Sequence, residues 1–414
     1  MLPAFDSKSE LHLHAYGCLT PDQIFMLAKD LWKSKKDRLA WYEEEYFKAF
    51  GVKSQWQDFW TKENGFESLK KSYLCTSKVS FLQFQAKFNL IIALFPLDPQ
   101  DTQVIETVCH AHQKQGLNYC DYRVVFPMQF TNKDLGLYLH AHSQKVLAIE
   151  NMYDSQFIPR LVWSLPRNNE ILYTAYNKLK LWLAAHPDLA KATSGIDFCM
   201  AEEGDSPASK QEFFKLVKTE QPNLKILYHV GETFAQTCLD SAARKVFLAA
   251  KFGADRLGHA VALGFDPKIF SGQVVKEPRL SRIEHLRWLL ENPEWFYDLE
   301  LTESKIKNEL AELFQSNEQF VDISYSSEIV HKTDKLQSIL MKELAQTTHH
   351  IECCPTSNSY ISHLRTVDDH PLARFVDNNL NISISSDDPG IFDTNLPKEL
   401  AIAYRLLVSR NVQS

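Results

Sequence analysis

The sequence has no excess of positive charge, no long apolar run and no cysteine motif, and each absence excludes a class of protein. Its 414 residues include 45 Lys and Arg against 52 Asp and Glu, a net charge of −7. Nucleic-acid binding needs clustered Lys and Arg to neutralise phosphates, so a nucleic-acid partner is disfavoured. A membrane span needs roughly 20 apolar residues in a row, and no run approaches that length. We therefore expect a small-molecule partner and no membrane contact; the oligomeric state is left open.

The eight cysteines lie scattered in apolar runs, without a C-x-x-C pair or the regular spacing of a disulfide framework. They are expected to be reduced core residues. The N-terminal stretch MLPAFDSKSE lacks the basic-then-apolar pattern of a signal peptide. A cytoplasmic location is expected, although a removed signal peptide would leave no trace.

Hydrophobic residues make up 44% and charged residues 23% of the chain, a composition typical of a globular protein. No repeat, low-complexity tract or linker divides it, so residues 1–414 are predicted to form a single domain. About eight short β-prone runs alternate with longer amphipathic stretches. This alternation predicts an α/β fold, a (β/α)8 TIM barrel. The predicted strands lie at 11–15, 118–126, 159–165, 195–200, 224–230, 255–263, 349–354 and 380–385.

Two stretches, at about 19–110 and 264–346, are too long for simple crossovers and contain aromatic-rich helical patterns. Loops that follow the strands of such a barrel lie on the face that carries the active site. We therefore predict helical insertions on the catalytic face.

The candidate metal ligands lie where predicted strands end. His12 and His14 are two residues apart in LHLHA, and on a strand such side chains project to the same face, within reach of one metal. His229 closes the fifth predicted strand and Asp387 follows the eighth. Three nitrogens and one carboxylate oxygen suit zinc with an open position for water, and we predict one Zn²⁺ per chain.

Further polar residues in the same layer suit hydrolysis at a ring carbon. Zinc lowers the pKa of water, and attack on a C=N carbon also needs an acid for the ring nitrogen and a group that takes the proton of water. Glu232, three residues after His229, and His259, at the end of the sixth strand, are candidates for these two roles. Asp388 follows the proposed ligand Asp387.

The order of these motifs resembles the adenosine and AMP deaminase family from end to end. The matching segments are SELHLHA, FLQFQAKF, GIDFCMAEE, HVGET, RLGHA, CCPTSNSYI and SSDDPGIFDTNL. The resemblance implies a metal-dependent barrel that deaminates an adenine compound. It also implies that His12, His14, His229 and Asp387 hold the metal, that Glu232 protonates purine N1, that His259 orients and deprotonates water, and that Asp388 bonds purine N7.

Two departures from the family pattern concern the substrate. Members usually carry an Asp that holds the ribose 5′-hydroxyl two residues after the second ligand histidine, where this chain has Tyr16. The family Gly whose backbone N–H reaches purine N3 aligns with Met200, or with Ala201 if one residue is inserted. The predicted function is therefore conversion of adenosine to inosine and ammonia. AMP, a 5′- or N6-modified adenine nucleotide as substrate, and an inactive nucleoside-binding protein remain alternatives.

Two other His-x-His pairs serve as internal controls. His110 and His112, and His140 and His142, lie in segments predicted as helical, where residues two apart point in different directions. They are predicted to be surface histidines without a metal role. The other class of nucleobase deaminases uses an H-x-E and P-C-x-x-C signature, which is absent here, so Cys353 and Cys354 are not expected to bind zinc.

Overall fold

The barrel consists of eight parallel strands connected mostly by helices. The computed structural model describes residues 3–198, 200–202, 204–234 and 236–413. Strands in the main sheet follow the order β1-β2-β3-β4-β5-β6-β9-β10. A bridge between Leu13 and Asp387 joins the last strand to the first, with the Asp387 amide donating to the His12 carbonyl at 3.0 Å. The predicted α/β barrel is confirmed.

The strands have the following bounds: β1 (Ser9–His14), β2 (Tyr119–Val125), β3 (Ile158–Ser164), β4 (Thr193–Asp197), β5 (Lys225–Val230), β6 (Arg256–His259), β7 (Val274–Pro278), β8 (Phe320–Ser324), β9 (His350–Cys353) and β10 (Asn381–Ile384). The helices are α1 (Pro21–Leu27), α2 (Lys36–Phe50), α3 (Gly65–Tyr73), α4 (Phe81–Leu94), α5 (Gln103–Lys114), α6 (Asn132–Met152), α7 (Asn169–Ala185), α8 (Pro187–Ala190), α9 (Gln211–Glu220), α10 (Leu239–Phe252), α11 (Val261–Gly264), α12 (Arg279–Leu290), α13 (Glu303–Gln315), α14 (Ser327–Ala345), α15 (Pro355–Ile361), α16 (Leu372–Asp377) and α17 (Leu396–Gln413). Short 3₁₀ turns lie at Tyr16–Cys18, Leu31–Ser34, Trp56–Asp58, Pro207–Lys210, Pro267–Phe270, Pro293–Trp295 and Val367–Asp369.

The local sequence accounts for these elements. Barrel strands such as β5 are apolar and buried along nearly their whole length, as parallel strands covered on both faces must be. Helices begin at side chains that accept a backbone N–H, for example Thr20 before α1, Ser80 before α4 and Asn168 before α7. In the described part of the chain, no helix combines the length and apolar character that a membrane crossing requires.

The stretch 19–110 contains α1 to α4 and most of α5, and it packs against the segment that follows β10. The Cys75 amide donates to the Ile391 carbonyl at 2.9 Å, and the rings of Phe84 and Phe392 stack with centroids 5.6 Å apart. The Tyr73 hydroxyl donates to the Leu19 carbonyl at 2.8 Å. These contacts place the stretch beside the carboxyl ends of β1 and β10.

The structure corrects the sequence prediction at three places. The predicted sixth strand, 255–263, ends at His259, and its last three residues open helix α11 instead. The stretch 264–346 contains a two-stranded antiparallel sheet, β7 and β8, besides its helices. The controls His112 and His142 do lie in helices, but they are buried, with exposures of 5% and 3%.

Candidate active site

The four predicted metal ligands converge at the carboxyl ends of β1, β5 and β10. The Nε2 atoms of His14 and His229 lie 3.2 Å apart. One oxygen of Asp387, Oδ1, lies 3.3 Å from His14 Nε2 and 3.5 Å from His12 Nε2. Asp387 adopts a left-handed backbone conformation, with φ of +64°, which an L-residue keeps only where its surroundings hold it. The fold thus brings together side chains from opposite ends of the sequence.

The donor atoms fit a metal ion. The possible ligand atoms of His12, His14 and His229 all lie within 4.8 Å of one another, and those of His14, Asp387 and Asp388 form a second such group. His12 Nε2 is buried and has no hydrogen-bond partner among the described residues. An unsatisfied buried nitrogen is costly unless a ligand or water completes it. Nitrogen and carboxylate donors are those that zinc uses in catalytic sites.

Carboxylates hold the other side of two of these imidazoles. His12 Nδ1 donates to Glu352 at 2.8 Å and His229 Nδ1 donates to Asp197 at 3.0 Å. The Ser357 hydroxyl donates to the second oxygen of Asp387 at 2.6 Å. Hydrogen bonds of this kind fix the tautomer and the orientation of a ligand imidazole. They leave both Nε2 atoms directed toward the cluster.

A buried arginine connects these carboxylates. Arg123 donates to Asp197 at 3.2 Å and to Glu352 at 2.6 Å, and it is only 2% exposed. Burial alone would raise the pKa of Glu352, but the charges of Arg256 and Arg123 hold it well below its usual range. Both carboxylates are therefore anionic acceptors at neutral pH.

The proposed acid and base lie beside the cluster. His259 Nε2 lies 3.5 Å from Glu232 Oε1. His259 Nδ1 forms a hydrogen bond with the Asn358 side-chain amide at 3.1 Å, which orients the imidazole so that Nε2 faces Glu232. Burial, together with His12, lowers the pKa of His259 well below its usual value. A neutral imidazole can accept a proton during a reaction.

Asp388 lies against the turn after β1. A Cβ at Gly17 would come within 1.6 Å of Asp388 Oδ1, so only glycine leaves room for this carboxyl group. Asp388 is 3% exposed, and its Oδ1 has no hydrogen-bond partner in the described chain. Burial and the neighbouring Asp387 raise the pKa of Asp388 well above its usual value. The group is thus available to a ligand as a hydrogen-bond donor.

The predicted substrate contacts occupy two separate segments. Tyr16 is buried in the 3₁₀ turn after β1, and burial together with the charges of Asp101 and Asp98 raises the pKa of its phenol. Met200 and Ala201 are exposed in the segment after β4, where Met200 has a φ of +74°. The Met200 side chain is 70% exposed and so projects into solvent.

Sequence reasoning missed the residues that support the ligands, namely Arg123, Asp197, Glu352, Ser357 and Asn358. A signal existed for the first three, because each is a charged residue inside or at the end of a β-prone run. A charge in a strand buried on both faces requires a partner. Ser357 and Asn358 lie in the quoted segment CCPTSNSYI, which carried no assigned role.

The fold and the cluster define an α/β barrel with a group of histidine and aspartate side chains that could hold a metal ion at the carboxyl ends of its strands. Residues 316–410 match the family model described as adenosine deaminase. An aminodeoxyfutalosine deaminase from Streptomyces coelicolor is 40% identical over 91 residues, 22% of this chain and 23% of that protein. The match thus spans less than a quarter of the relative. The predicted resemblance to the adenosine and AMP deaminase family is confirmed.

Solved structures support the fold along nearly the whole chain. The N6-methyl-AMP deaminase from Arabidopsis thaliana superposes with a TM-score of 0.54 at 14% identity, over 97% of this chain and 86% of that one. An amidohydrolase from Burkholderia ambifaria, with bound zinc, has a TM-score of 0.54 at 13% identity, over 96% and 79%.

Proposed function

We propose that this chain is a zinc-dependent enzyme that hydrolytically removes the 6-amino group from an adenine nucleoside or nucleotide. One observation carries the proposal: His12, His14, His229 and Asp387 converge beside Glu232, His259 and Asp388. This set offers a metal site, a proton donor, a proton acceptor and a buried hydrogen-bonding carboxyl group, which hydrolysis at a purine carbon requires together.

In this proposal His12, His14, His229 and Asp387 hold one zinc ion. Bound there, zinc would lower the pKa of water for attack at purine C6. Glu352 and Asp197 keep the imidazoles of His12 and His229 in the tautomer that presents Nε2. Ser357 fixes the Asp387 carboxylate through its second oxygen.

Glu232 and His259 carry out the proton transfers in this proposal. Glu232 delivers a proton to N1 of the purine, which makes C6 more electrophilic, and His259 orients the attacking water and takes its proton. Asn358 holds His259 so that Nε2 faces Glu232, 3.5 Å away. Asp388, with its raised pKa, donates a hydrogen bond to N7.

The sugar end favours a neutral 5′-substituent. A carboxylate at position 16 would accept a hydrogen bond from a free 5′-hydroxyl, and Tyr16 offers a neutral phenol in its place. The charges of Asp101 and Asp98 lie near enough to raise the pKa of that phenol, and they would repel a phosphate. We therefore propose an adenosine with an uncharged 5′-extension as the preferred substrate.

AMP and N6-modified adenine nucleotides form the second candidate class, since one structural neighbour is named as an N6-methyl-AMP deaminase. The third alternative, an inactive nucleoside-binding protein, is less consistent with the complete set of ligands and proton-transfer groups.

A substrate panel tests the proposal. Adenine, adenosine, deoxyadenosine, AMP, N6-methyl-AMP and 5′-deoxy-5′-methylthioadenosine would be added to zinc-loaded protein, and the fall in absorbance near the adenine maximum followed. We expect deamination of adenosines, with kcat/KM highest for the 5′-thio compound, and a shift of preference toward adenosine in Tyr16→Asp. Lack of turnover with every compound would refute the enzymatic proposal. A strong preference for adenosine that Tyr16→Asp leaves unchanged would refute the substrate assignment alone.

A further inference from the structure

Glu202 connects two segments of the proposed site, the one that follows β4 and the one that follows β5. It lies in the β4 loop, a name used here for the described residues 198, 200–202 and 204–206, immediately after the predicted base contacts Met200 and Ala201. Its carboxylate accepts the backbone N–H of Gly231 at 2.7 Å and that of Thr233 at 2.5 Å. These amides flank Glu232 in the β5 loop, a name used here for the described residues 231–234 and 236–238.

We propose that Glu202 is a positioning residue that couples base binding by the β4 loop to placement of the proton donor Glu232. This inference rests on the proposed deamination. Glu202 acts through its hydrogen bonds to the backbone of the β5 loop. Because one carboxylate holds the residues on both sides of Glu232, a displacement of the β4 loop displaces the backbone that carries Glu232.

Residues before and after Glu202 in the β4 loop are held by hydrogen bonds to neighbouring elements. Arg167 donates to the Phe198 carbonyl at 2.8 Å and to the Asp205 carboxylate at 3.0 Å, so one guanidinium holds both ends of the loop. Tyr228 donates to the same carboxylate of Asp205 at 2.7 Å. Arg167 also donates to the carbonyl of His229, at the end of β5.

The β5 loop depends on this support because its first residue makes a tight turn. Gly231 has a φ of +69°, and a Cβ there would lie 2.6 Å from the Val246 side chain, so no other residue fits. Burial raises the pKa of Glu202, while Arg167 and the two amides favour the ionised form. An ionised acceptor forms stronger hydrogen bonds with amides than a neutral one does.

The test uses Glu202→Gln in the zinc-loaded full chain, with Glu212→Gln as the control. Glutamine has the same shape, but its NH₂ group cannot accept a hydrogen bond, so one of the two loop amides loses its partner. Glu212 is an exposed carboxylate on α9, outside the two loops, so its replacement removes the same charge at a different place. Zinc content and thermal unfolding would be measured on both variants.

The first readout is hydrogen exchange of a peptide that covers residues 229–234. It needs no substrate, so it tests the connection independently of the proposed reaction. We expect faster exchange in Glu202→Gln and wild-type exchange in Glu212→Gln. Unchanged exchange in Glu202→Gln would overturn the inference, even if the protein deaminates adenosines as proposed.

The second readout separates positioning from general stability. Displacing a catalytic group by about 1 Å costs on the order of 10²-fold in rate, so we expect kcat per zinc-loaded molecule to fall about that much in Glu202→Gln. The affinity for purine ribonucleoside, which lacks the 6-amino group, should weaken at least threefold, because the base loop moves too. A kcat within twofold of wild type would overturn the inference. If wild type turns over no adenine compound, the proposed function fails, and exchange alone decides whether Glu202 holds the loop.

Discussion

Replacement of Asp197 by Asn tests whether the buried carboxylates orient the histidines of the proposed metal site. Asp197 accepts from His229 Nδ1 at 3.0 Å and from Arg123 Nε at 3.2 Å, on different oxygens. An asparagine has one accepting oxygen, so it keeps one of these bonds and turns an NH₂ group toward the other donor. Arg123 loses the counter-charge of Asp197 in either case, and either the His229 ring or Arg123 loses its hydrogen bond as well. The change therefore acts on a proposed metal ligand without removing one.

The expected loss of zinc affinity follows from the number of hydrogen bonds to ligand histidines that are lost. Removal of a hydrogen bond to a ligand histidine typically costs 10- to 100-fold in metal affinity, which corresponds to about 1.4 to 2.8 kcal/mol. Only one ligand of the proposed four is affected, because His12 keeps its bond to Glu352. We therefore expect the dissociation constant for zinc to rise about 10- to 100-fold, with zinc still bound at millimolar concentration.

The assay is a titration of apoprotein with zinc against a chromophoric chelator. Asp121→Asn is the matched control, since Asp121 is also fully buried and accepts from Arg256 at 2.5 Å, but it contacts none of the proposed ligands. Asp121→Asn should lower the thermal unfolding temperature and change zinc affinity less than twofold. If Asp197→Asn binds zinc as tightly as wild type, or if both variants weaken binding equally, the orienting role of Asp197 is wrong.

Three further predictions address the proposed reaction. Glu232→Gln should retain zinc and fold while kcat falls at least about 10²-fold, because an amide cannot protonate N1; steady-state kinetics with metal analysis checks this. His12→Ala should lose zinc and His140→Ala should not, since His140 is exposed on α6, and metal analysis that shows the opposite would contradict the ligand assignment. A tight substrate analogue should slow hydrogen exchange within 264–346, because Phe270 of this stretch packs on Phe234 of the β5 loop; unchanged exchange would place the stretch away from the pocket.

The layout of the site was predictable because parallel strands end at one face of a barrel. His14 and His229 are 215 residues apart, yet assigning each to a strand end was enough to place them together, and their Nε2 atoms lie 3.2 Å apart. The supports of the site were not predictable in this way. Arg123 pairs with Asp197 and Glu352, 74 and 229 residues away. Such partners depend on strand stagger and side-chain length, which apolar periodicity does not encode.

The two-stranded sheet in the 264–346 stretch escaped prediction for a different reason. Its strands β7 and β8 are five residues each and pair only with one another. In β8, FVDIS alternates partly buried and exposed residues, a period-2 pattern typical of an antiparallel pair with one solvated face. The longer helices α13 and α14 lie directly before and after β8 in the chain, and their helical spacing of apolar residues dominates the pattern of this region. A short strand whose partner lies some 45 positions away in the chain is weakly specified by its own sequence.

The burial of the control histidines His112 and His142 could have been predicted from the sequence, although not from the spacing of the His-x-His pairs. Along α5 the buried residues Val104, Ile105, Val108, Cys109 and His112 follow each other at helical intervals, so His112 continues the apolar stripe while His110 falls outside it. The same phase buries His142 on α6, after Leu135, Tyr138 and Leu139. A buried histidine needs a hydrogen-bond partner. His112 Nδ1 bonds to the Tyr122 hydroxyl at 2.7 Å, and His142 Nδ1 bonds to the Tyr138 carbonyl at 3.0 Å. Burial lowers the pKa of both to about 4, so each is neutral and satisfied within the core. The position of a histidine relative to the apolar stripe therefore predicts burial, whereas its position at the carboxyl end of a barrel strand predicts access to the metal cluster.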